Sequence, residues 1–97
     1  MLVALERFDL RIPGCGSLKE KRHVVKALAN GIRSKFNVSV AEVDHHDLWQ
    51  RTAIAVAAVA RESYHAKKVL HEVERFVERF HEVEIIEAEL SLHYPED

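Results

Sequence analysis

The segment over residues 8–20, FDLRIPGCGSLKE, contains the change of period that decides the fold. Apolar and charged residues alternate over residues 8–12, which is typical of a strand with one buried face. The turn at residues 13–16 interrupts that alternation. Ser17 and Glu20 then form a capping box, in which the serine hydroxyl accepts from the amide of Glu20 and the carboxylate reaches back to the amide of Ser17. The segment therefore predicts a strand that is followed closely by a helix.

The predicted helix begins at Leu18 and extends to near Lys35. One apolar stripe recurs at helical spacing and comprises Leu18, Val24, Val25, Leu28, Ala29 and Ile32. Gly31 costs about 1 kcal/mol in a helix relative to alanine, and we expect it to permit close approach of a second helix. Lys21 falls within the apolar stripe, where we expect its stem to cover the core and its ammonium group to reach solvent. The alternative is a buried acid or ligand beside Lys21.

The same two patterns, alternation for strands and helical spacing for helices, assign the rest of the chain. Alternation predicts strands over residues 36–43, 52–60 and 83–92, and a second apolar stripe predicts a helix over residues 64–80 that Ser63 caps. The order is βαββαβ, and each helix has one apolar stripe, so both helices should cover the same face of one sheet. Right-handed crossovers then give a single α+β domain over residues 1–97 with the ferredoxin-like arrangement and strand order 4-1-3-2.

This topology predicts two features of the packing. The last strand should lie antiparallel beside the first, with Arg7 or Arg11 across from Glu87 or Glu89 on the open face of the sheet. The inward stripe of each element should supply the core, and the residues expected to be largely buried are Phe8, Leu28, Val56, Val73, Phe76 and Ile86.

Length and composition exclude several classes of protein. The chain has 97 residues, of which 47% are apolar and 31% charged, and its formal net charge is −2. These values exclude a disordered or collagen-like chain, and no segment is long and apolar enough to span a membrane. The first residues, MLVALERFDLR, lack the features of a signal peptide. Cys15 is the single cysteine, so no internal disulfide can form, and we expect a cytoplasmic protein.

Three stretches of the chain resemble a known family. They are LRIPGC at residues 10–15, SLKEKR at residues 17–22, and FNVSVAEV at residues 36–43 followed by DLWQR at residues 47–51. Together they resemble the YlxP-like family of small bacterial proteins of unknown function. The resemblance implies a ferredoxin-like fold and a bacterial cytoplasmic protein whose genes often lie near those for translation initiation and ribosome maturation. It implies no defined activity and no catalytic residue.

The predicted first helix is strongly basic. Residues 10–35 contain seven bases and one acid, whereas residues 62–97 contain ten acids and four bases. Four bases project within about 60° of one another, away from the apolar stripe, and we call them the basic row: Lys19, Arg22, Lys26 and Arg33. A basic helix face is typical of surfaces that bind RNA phosphates, so the basic row is the predicted nucleic-acid-binding site. The alternative is a solvated face that balances an acidic second helix.

The polar connection over residues 44–51 is longer than a tight hairpin requires. Its DHHD sequence, residues 44–47, suggests a metal, but consecutive residues in an extended segment do not share a side, so we predict no metal site. Trp49 is expected to pack over the sheet edge, and the alternative is an aromatic anchor for a partner. The candidate partner-binding residues are Asp47, Trp49 and Arg51.

The turn before the first helix allows two further interpretations. Free amides and the helix dipole near residues 13–17 favour an anion, but the spacing of a phosphate-binding loop is not met, and an ordinary turn is the expectation. The same helix end could favour the thiolate of Cys15. The sequence places no base beside Cys15, so we predict no catalytic role for it.

No arrangement typical of an enzyme stands out, so we predict a non-enzymatic protein without a cofactor. The outward positions of the central strands carry charges and alanines, so the aromatic platform on which RNA recognition motifs stack bases is missing. The first interpretation is an accessory factor of translation or ribosome maturation that contacts structured RNA or a ribosomal component through the first helix and nearby loops. The alternative is a homodimeric protein-interaction module with no nucleic-acid role.

Overall fold

The computed structural model describes residues 1–95 and has the predicted order of elements. The elements are β1 (Leu2–Arg11), α1 (Leu18–Lys35), β2 (Ser39–Asp44), β3 (Arg51–Ala60), α2 (Ser63–Glu78) and β4 (Glu84–His93). The four strands form one antiparallel sheet in the order β2-β3-β1-β4. This is the predicted strand order read from the other edge, so the ferredoxin-like fold is confirmed.

The core lies between one face of the sheet and the two helices. The inward residues of β1 and the buried stripes of both helices belong to one hydrophobic cluster, with α2 over β1 and β3 and α1 over β2, so the helices cover the same face. Four of the predicted core residues are fully buried, namely Phe8, Leu28, Val56 and Val73. Phe76 is only partly buried, at the margin of the core.

The two helices approach each other closely at Gly31. A Cβ atom on Gly31 would lie 2.8 Å from Cζ of Phe76, so even alanine requires the ring to move. The Phe76 ring also packs edge-on against Phe36, with the ring centroids 6.1 Å apart. The predicted role of Gly31 is therefore confirmed, and we call this contact the helix seam.

The predicted burial of Ile86 is wrong, since 43% of its surface is exposed. Asp9 of β1 pairs with Glu87 of β4, but the next residue, Leu10, pairs with Ile85. Ile86 is thus the extra residue of a β-bulge, and such a residue reverses the alternation of the strand. Ile85 packs against the core in its place.

The ends of the helices confirm one predicted cap and correct another. The Ser17 hydroxyl accepts from the amide of Glu20 at 3.1 Å, as predicted, whereas the Glu20 carboxylate accepts from the amide of Gly16 rather than that of Ser17. Ser63 does not cap α2, because it is already the first helical residue, and Glu62 stands at the cap position without a side-chain hydrogen bond. β2 begins at Ser39, three residues later than predicted, because the amide of Phe36 still bonds to α1.

The open face of the sheet has the predicted register. Arg7 lies directly across from Glu89, which confirms that β4 is the neighbour of β1. The guanidinium of Arg7 nevertheless forms its ion pairs with Asp9 and Asp44, both at 3.2 Å. Asp44 ends β2, so this interaction spans three adjacent strands and fixes the open face near the hairpin.

Candidate nucleic-acid interface

The basic row is exposed, as its position on α1 predicts. All four side chains are accessible to solvent. Within the part of the chain that the structure describes, Lys19, Arg22 and Lys26 form no ion pair. Arg33 differs from the other three, since its guanidinium donates to the backbone carbonyl of Val40 in β2 at 2.7 Å. Three members of the row therefore carry uncompensated positive charge, and the fourth fastens α1 to the sheet.

Two contacts show which flank of α1 carries the basic row. Arg33 reaches toward β2, whereas Gly31 faces Phe76 of α2 across the helix seam. Because residues on opposite flanks of a helix point in different directions, Arg33 and the C-terminal part of the row lie on the β2 side of α1. At the other end of the row, Lys19 lines a pocket together with Glu82 of the turn after α2, but no ion pair joins the row to an acid of α2 within residues 1–95.

Lys21 anchors the same helix from within. Its side chain is 1% exposed, and Nζ lies 2.8 Å from Oε2 of Glu42 in β2. The hydroxyl of Thr52 donates to the same carboxylate oxygen at 2.6 Å. Burial alone raises the pKa of Glu42, but the hydrogen bonds from Lys21 and Thr52 outweigh it, so that the pKa lies below its ordinary value. The expectation that the Lys21 ammonium reaches solvent is wrong. As in the alternative, it meets an acid, although the side chain of Glu42 is only partly buried, at 21% exposure.

The Lys21 ammonium also fixes the β2–β3 loop. It donates to the backbone carbonyl of His45, a residue with a positive φ of 61°. At the other end of the loop, the Gln50 side chain donates to the carbonyl of Cys15 at 3.2 Å. These two bonds hold the loop, residues 45–50, against the start of α1, beside the N-terminal part of the basic row.

The three candidate partner-binding residues occupy different positions. Asp47 is exposed, and Trp49 is 50% exposed and outside the core, so the expectation that Trp49 packs over the sheet edge is wrong. Arg51 begins β3 on the open face, directly across from Arg11, and its Nε is buried without a hydrogen-bond partner among the described residues. The structure shows no hydrogen bond or ion pair that joins these three side chains within residues 1–95.

The turn before α1 is filled by the chain itself. The amide of Gly16 is bonded to the Glu20 carboxylate at 2.8 Å, and this carboxylate occupies the place that an anion would take. Cys15 is buried, with Sγ 3.5 Å from the carbonyl oxygen of Ser17. Both observations favour the ordinary turn that the sequence suggests.

One buried group escaped the sequence analysis. Glu6 lies on the core side of β1 and is 5% exposed. Burial first, and then a hydrogen bond and charge repulsion from Glu74 of α2, raise the pKa of Glu6 to about 8. Near pH 7 Glu6 is therefore mostly protonated, and its carboxyl group can donate to Glu74. The available signal was an acid on the otherwise apolar inward face of β1.

The described residues contain no group of three or more histidine, cysteine, aspartate or glutamate side chains placed to hold a metal ion. Over the same residues, no helix is long and apolar enough to cross a membrane.

Known proteins share both the sequence and the fold. A family model described as "Protein of unknown function (DUF503)" matches residues 3–90. The chain belongs to this family. A curated relative, "Uncharacterized protein YlxP" of Bacillus subtilis (strain 168), is 44% identical over 83 residues, which cover 86% of this chain and 90% of that protein. The resemblance to YlxP-like proteins is thereby confirmed, and the members of this family share a sequence pattern without a defined activity.

A solved structure with the same architecture is unrelated in sequence. The de novo designed protein Foldit4 superimposes with a TM-score of 0.55 at 10% identity, over 99% of this chain and 100% of that one. At this identity the likeness concerns the fold alone.

Proposed function

We propose that this protein is a non-enzymatic RNA-binding accessory factor of bacterial translation or ribosome maturation. Its contact surface consists of Lys19, Arg22 and Lys26 together with the adjoining β2–β3 loop. The observation that supports the proposal is the absence of any ion-pair partner for these three cations within residues 1–95. The proposal also draws on the gene neighbourhood that the family resemblance implies.

Unpaired cations on one helix flank suit the RNA backbone. Each cation that neutralises a phosphate releases condensed counterions, and this entropy gain makes the affinity depend on salt. Cations already held by carboxylates would gain little from the exchange, because the existing pair must first break. Three cations of the basic row, Lys19, Arg22 and Lys26, have no ion pair that must break before they bind a phosphate.

The β2–β3 loop adds an aromatic side chain to this surface. Trp49 is half exposed, and the bonds of Lys21 to His45 and of Gln50 to Cys15 hold its loop in place. A base that stacks on an exposed aromatic ring gains about 1–3 kcal/mol without sequence preference. Trp49 would thus bind an unpaired base while the basic row binds phosphates.

The open face of the sheet offers no comparable surface for stacking. Its outward positions at the centre of β1 and β3 carry Arg7, Asp9, Ala53 and Ala55, and none is aromatic. RNA contact through helix and loop, rather than through the sheet, is therefore the form that this proposal takes.

The decisive experiment combines charge reversal with a salt titration. The triple variant Lys19→Glu, Arg22→Glu, Lys26→Glu should lose about 2 to 3 units from the slope of log affinity against log salt for structured RNA. The matched control, Lys67→Glu, Lys68→Glu, Arg75→Glu, makes the same change in net charge on the exposed side of α2 and should retain most of the slope. Equal losses in the two variants would show a non-specific effect of net charge and reject the basic row.

A pull-down from bacterial lysate tests the cellular part of the proposal. The tagged protein should retain ribosomal particles, and treatment with ribonuclease should release them. Retention that is insensitive to ribonuclease and unchanged in the triple variant would point to a protein contact instead.

A second candidate function, homodimerisation through the open face, rests on a separate observation. Val59 is 73% exposed and is surrounded on that face by Val3, Leu5, Ala57 and other small residues. Three ten-residue strands and one six-residue strand present roughly 600 Å² per copy at standard strand spacings. Two copies would bury roughly 1,200 Å², the lower bound for a stable interface. Sedimentation that changes with concentration in wild-type protein, but not in Val59→Asp, would support this dimer.

A further inference from the structure

A cavity of about 550 Å³ opens where α1 ends and α2 begins. Its floor is apolar and includes Phe36 after α1, Ala58 in β3 and Val69 in α2. Its volume falls within the range of about 300–1,000 Å³ that is usual for small-molecule sites. The cavity lies at the end of β3, whereas the β2–β3 loop lies at its start, so about 30 Å separates the cavity from that loop. Lys26, the member of the proposed RNA surface nearest to it along α1, is about 14 Å of helix away from Lys35.

The rim of the cavity carries a net positive charge. Two cations, Lys35 and Arg61, line it together with one acid, Glu62. Neither Lys35 nor Arg61 has an ion-pair partner within residues 1–95. The ammonium of Lys35 lies 5.9 Å from the centroid of the Phe36 ring and 5.8 Å from that of Phe76, which places a cation between the apolar floor and the helix seam.

From this arrangement we propose a binding site for a small organic anion with an apolar or aromatic body. The carboxylate or phosphate of the ligand faces Lys35 and Arg61, and its body lies over Phe36, Ala58 and Val69. Charged hydrogen bonds fix the orientation, whereas burial of the apolar body supplies affinity that a free inorganic ion does not gain. The site is independent of RNA binding, so it stands whether or not the proposed function does.

Titration of the full chain, followed by amide chemical shifts, tests this site directly. Phenyl phosphate, benzoate and neutral benzyl alcohol are the three probes. Saturable shifts confined to residues 35–37, 58–62 and 65–69 are expected for at least one of the two anions, and the tighter anion identifies the preferred head group. Benzyl alcohol that binds as tightly as both anions would overturn the role of the positive rim. Inorganic phosphate that binds as tightly as phenyl phosphate would overturn the role of the apolar floor.

Two variants separate the contribution of the rim cations to binding from that of the protein's net charge. Arg61→Gln should weaken binding of the preferred anion about tenfold, the effect of losing one charged hydrogen bond. The control, Lys68→Gln, removes an equal charge from an exposed position on α2 that does not line the cavity and should leave affinity unchanged. Because both residues are exposed, neither change should affect folding. Equal affinity in Arg61→Gln and wild-type protein would refute the site.

Discussion

The two helices cover the same sheet but are attached to it by opposite chemistry. α1 is fastened by an ion pair between the buried Lys21 and the partly buried Glu42, whereas α2 places Glu74 beside the buried Glu6, whose pKa is raised to about 8. Their outer surfaces differ too, because α1 displays an unpaired basic row while α2 mixes both signs. An amphipathic stripe therefore determines where a helix lies, whereas the polar residues beneath and above it determine its pH response and its possible partners.

Among the substitutions, the largest expected effect comes from breaking the anchor of α1. Lys21→Met leaves the Glu42 carboxylate partly buried without its cation and should lower the free energy of unfolding by about 3 kcal/mol. Urea denaturation measures this loss. Lys26→Met, on the exposed side of the same helix, should change stability by less than about 0.5 kcal/mol.

A second replacement sharpens that experiment. Adding Glu42→Leu to Lys21→Met removes the orphaned charge and should restore part of the lost stability. A double variant less stable than Lys21→Met alone would contradict the ion-pair account.

The anchor of α2 should respond to pH in the opposite direction from that of α1. The pKa of Glu6 is raised in the folded chain from 4.5 to about 8, so the folded state holds the proton more tightly. Its contribution to the free energy of unfolding is full below pH 4.5 and falls as the pH rises to about 8, by up to about 1.4 kcal/mol per pH unit. Glu42, whose pKa is lowered, contributes above its ordinary pKa and loses that contribution in acid.

Thermal unfolding across pH 5–8 separates the two anchors. Glu6→Gln keeps a donor for Glu74 and should flatten the decline in stability toward pH 8. An unchanged decline in Glu6→Gln would assign it to another group.

The helix seam should show a smaller effect. Gly31→Ala places a Cβ against Cζ of Phe76, and we expect a net loss of about 1 kcal/mol, because overpacking exceeds the gain in helix propensity. In the Phe76→Leu background the ring is gone, so Gly31→Ala should stabilise the protein. The same sign in both backgrounds, measured by chemical denaturation, would reject close packing at this position.

The smallest effect distinguishes the starts of the two helices. Ser17 accepts the Glu20 amide, so Ser17→Ala should cost about 1 kcal/mol. Ser63 makes no capping bond, so Ser63→Ala should be nearly neutral. If urea denaturation gave the same loss of unfolding free energy for both variants, the difference between the two helix N-termini would be rejected.

These features also mark the limit of what the sequence reveals. The periods of two and 3.6 residues predicted the elements and the strand order, because burial of apolar side chains controls both. The carboxylate beside Lys21 was not predictable, since Glu42 is 21 residues away in sequence and meets the ammonium only after β2 docks on α1. The bulge at Ile86 was not predictable for another reason. One inserted residue leaves the apolar composition of a strand unchanged while it turns the side chain of that residue away from the core.

The bond from Arg33 to the carbonyl of Val40 has a consequence for self-association. β2 is an edge strand of the sheet, and an edge strand offers unpaired backbone groups to any extended chain that it meets. The guanidinium bonds to a carbonyl of this strand and brings a positive charge to the border of the sheet. A charge at an edge strand disfavours the approach of a second strand, so we expect the arginine to hinder edge-to-edge association.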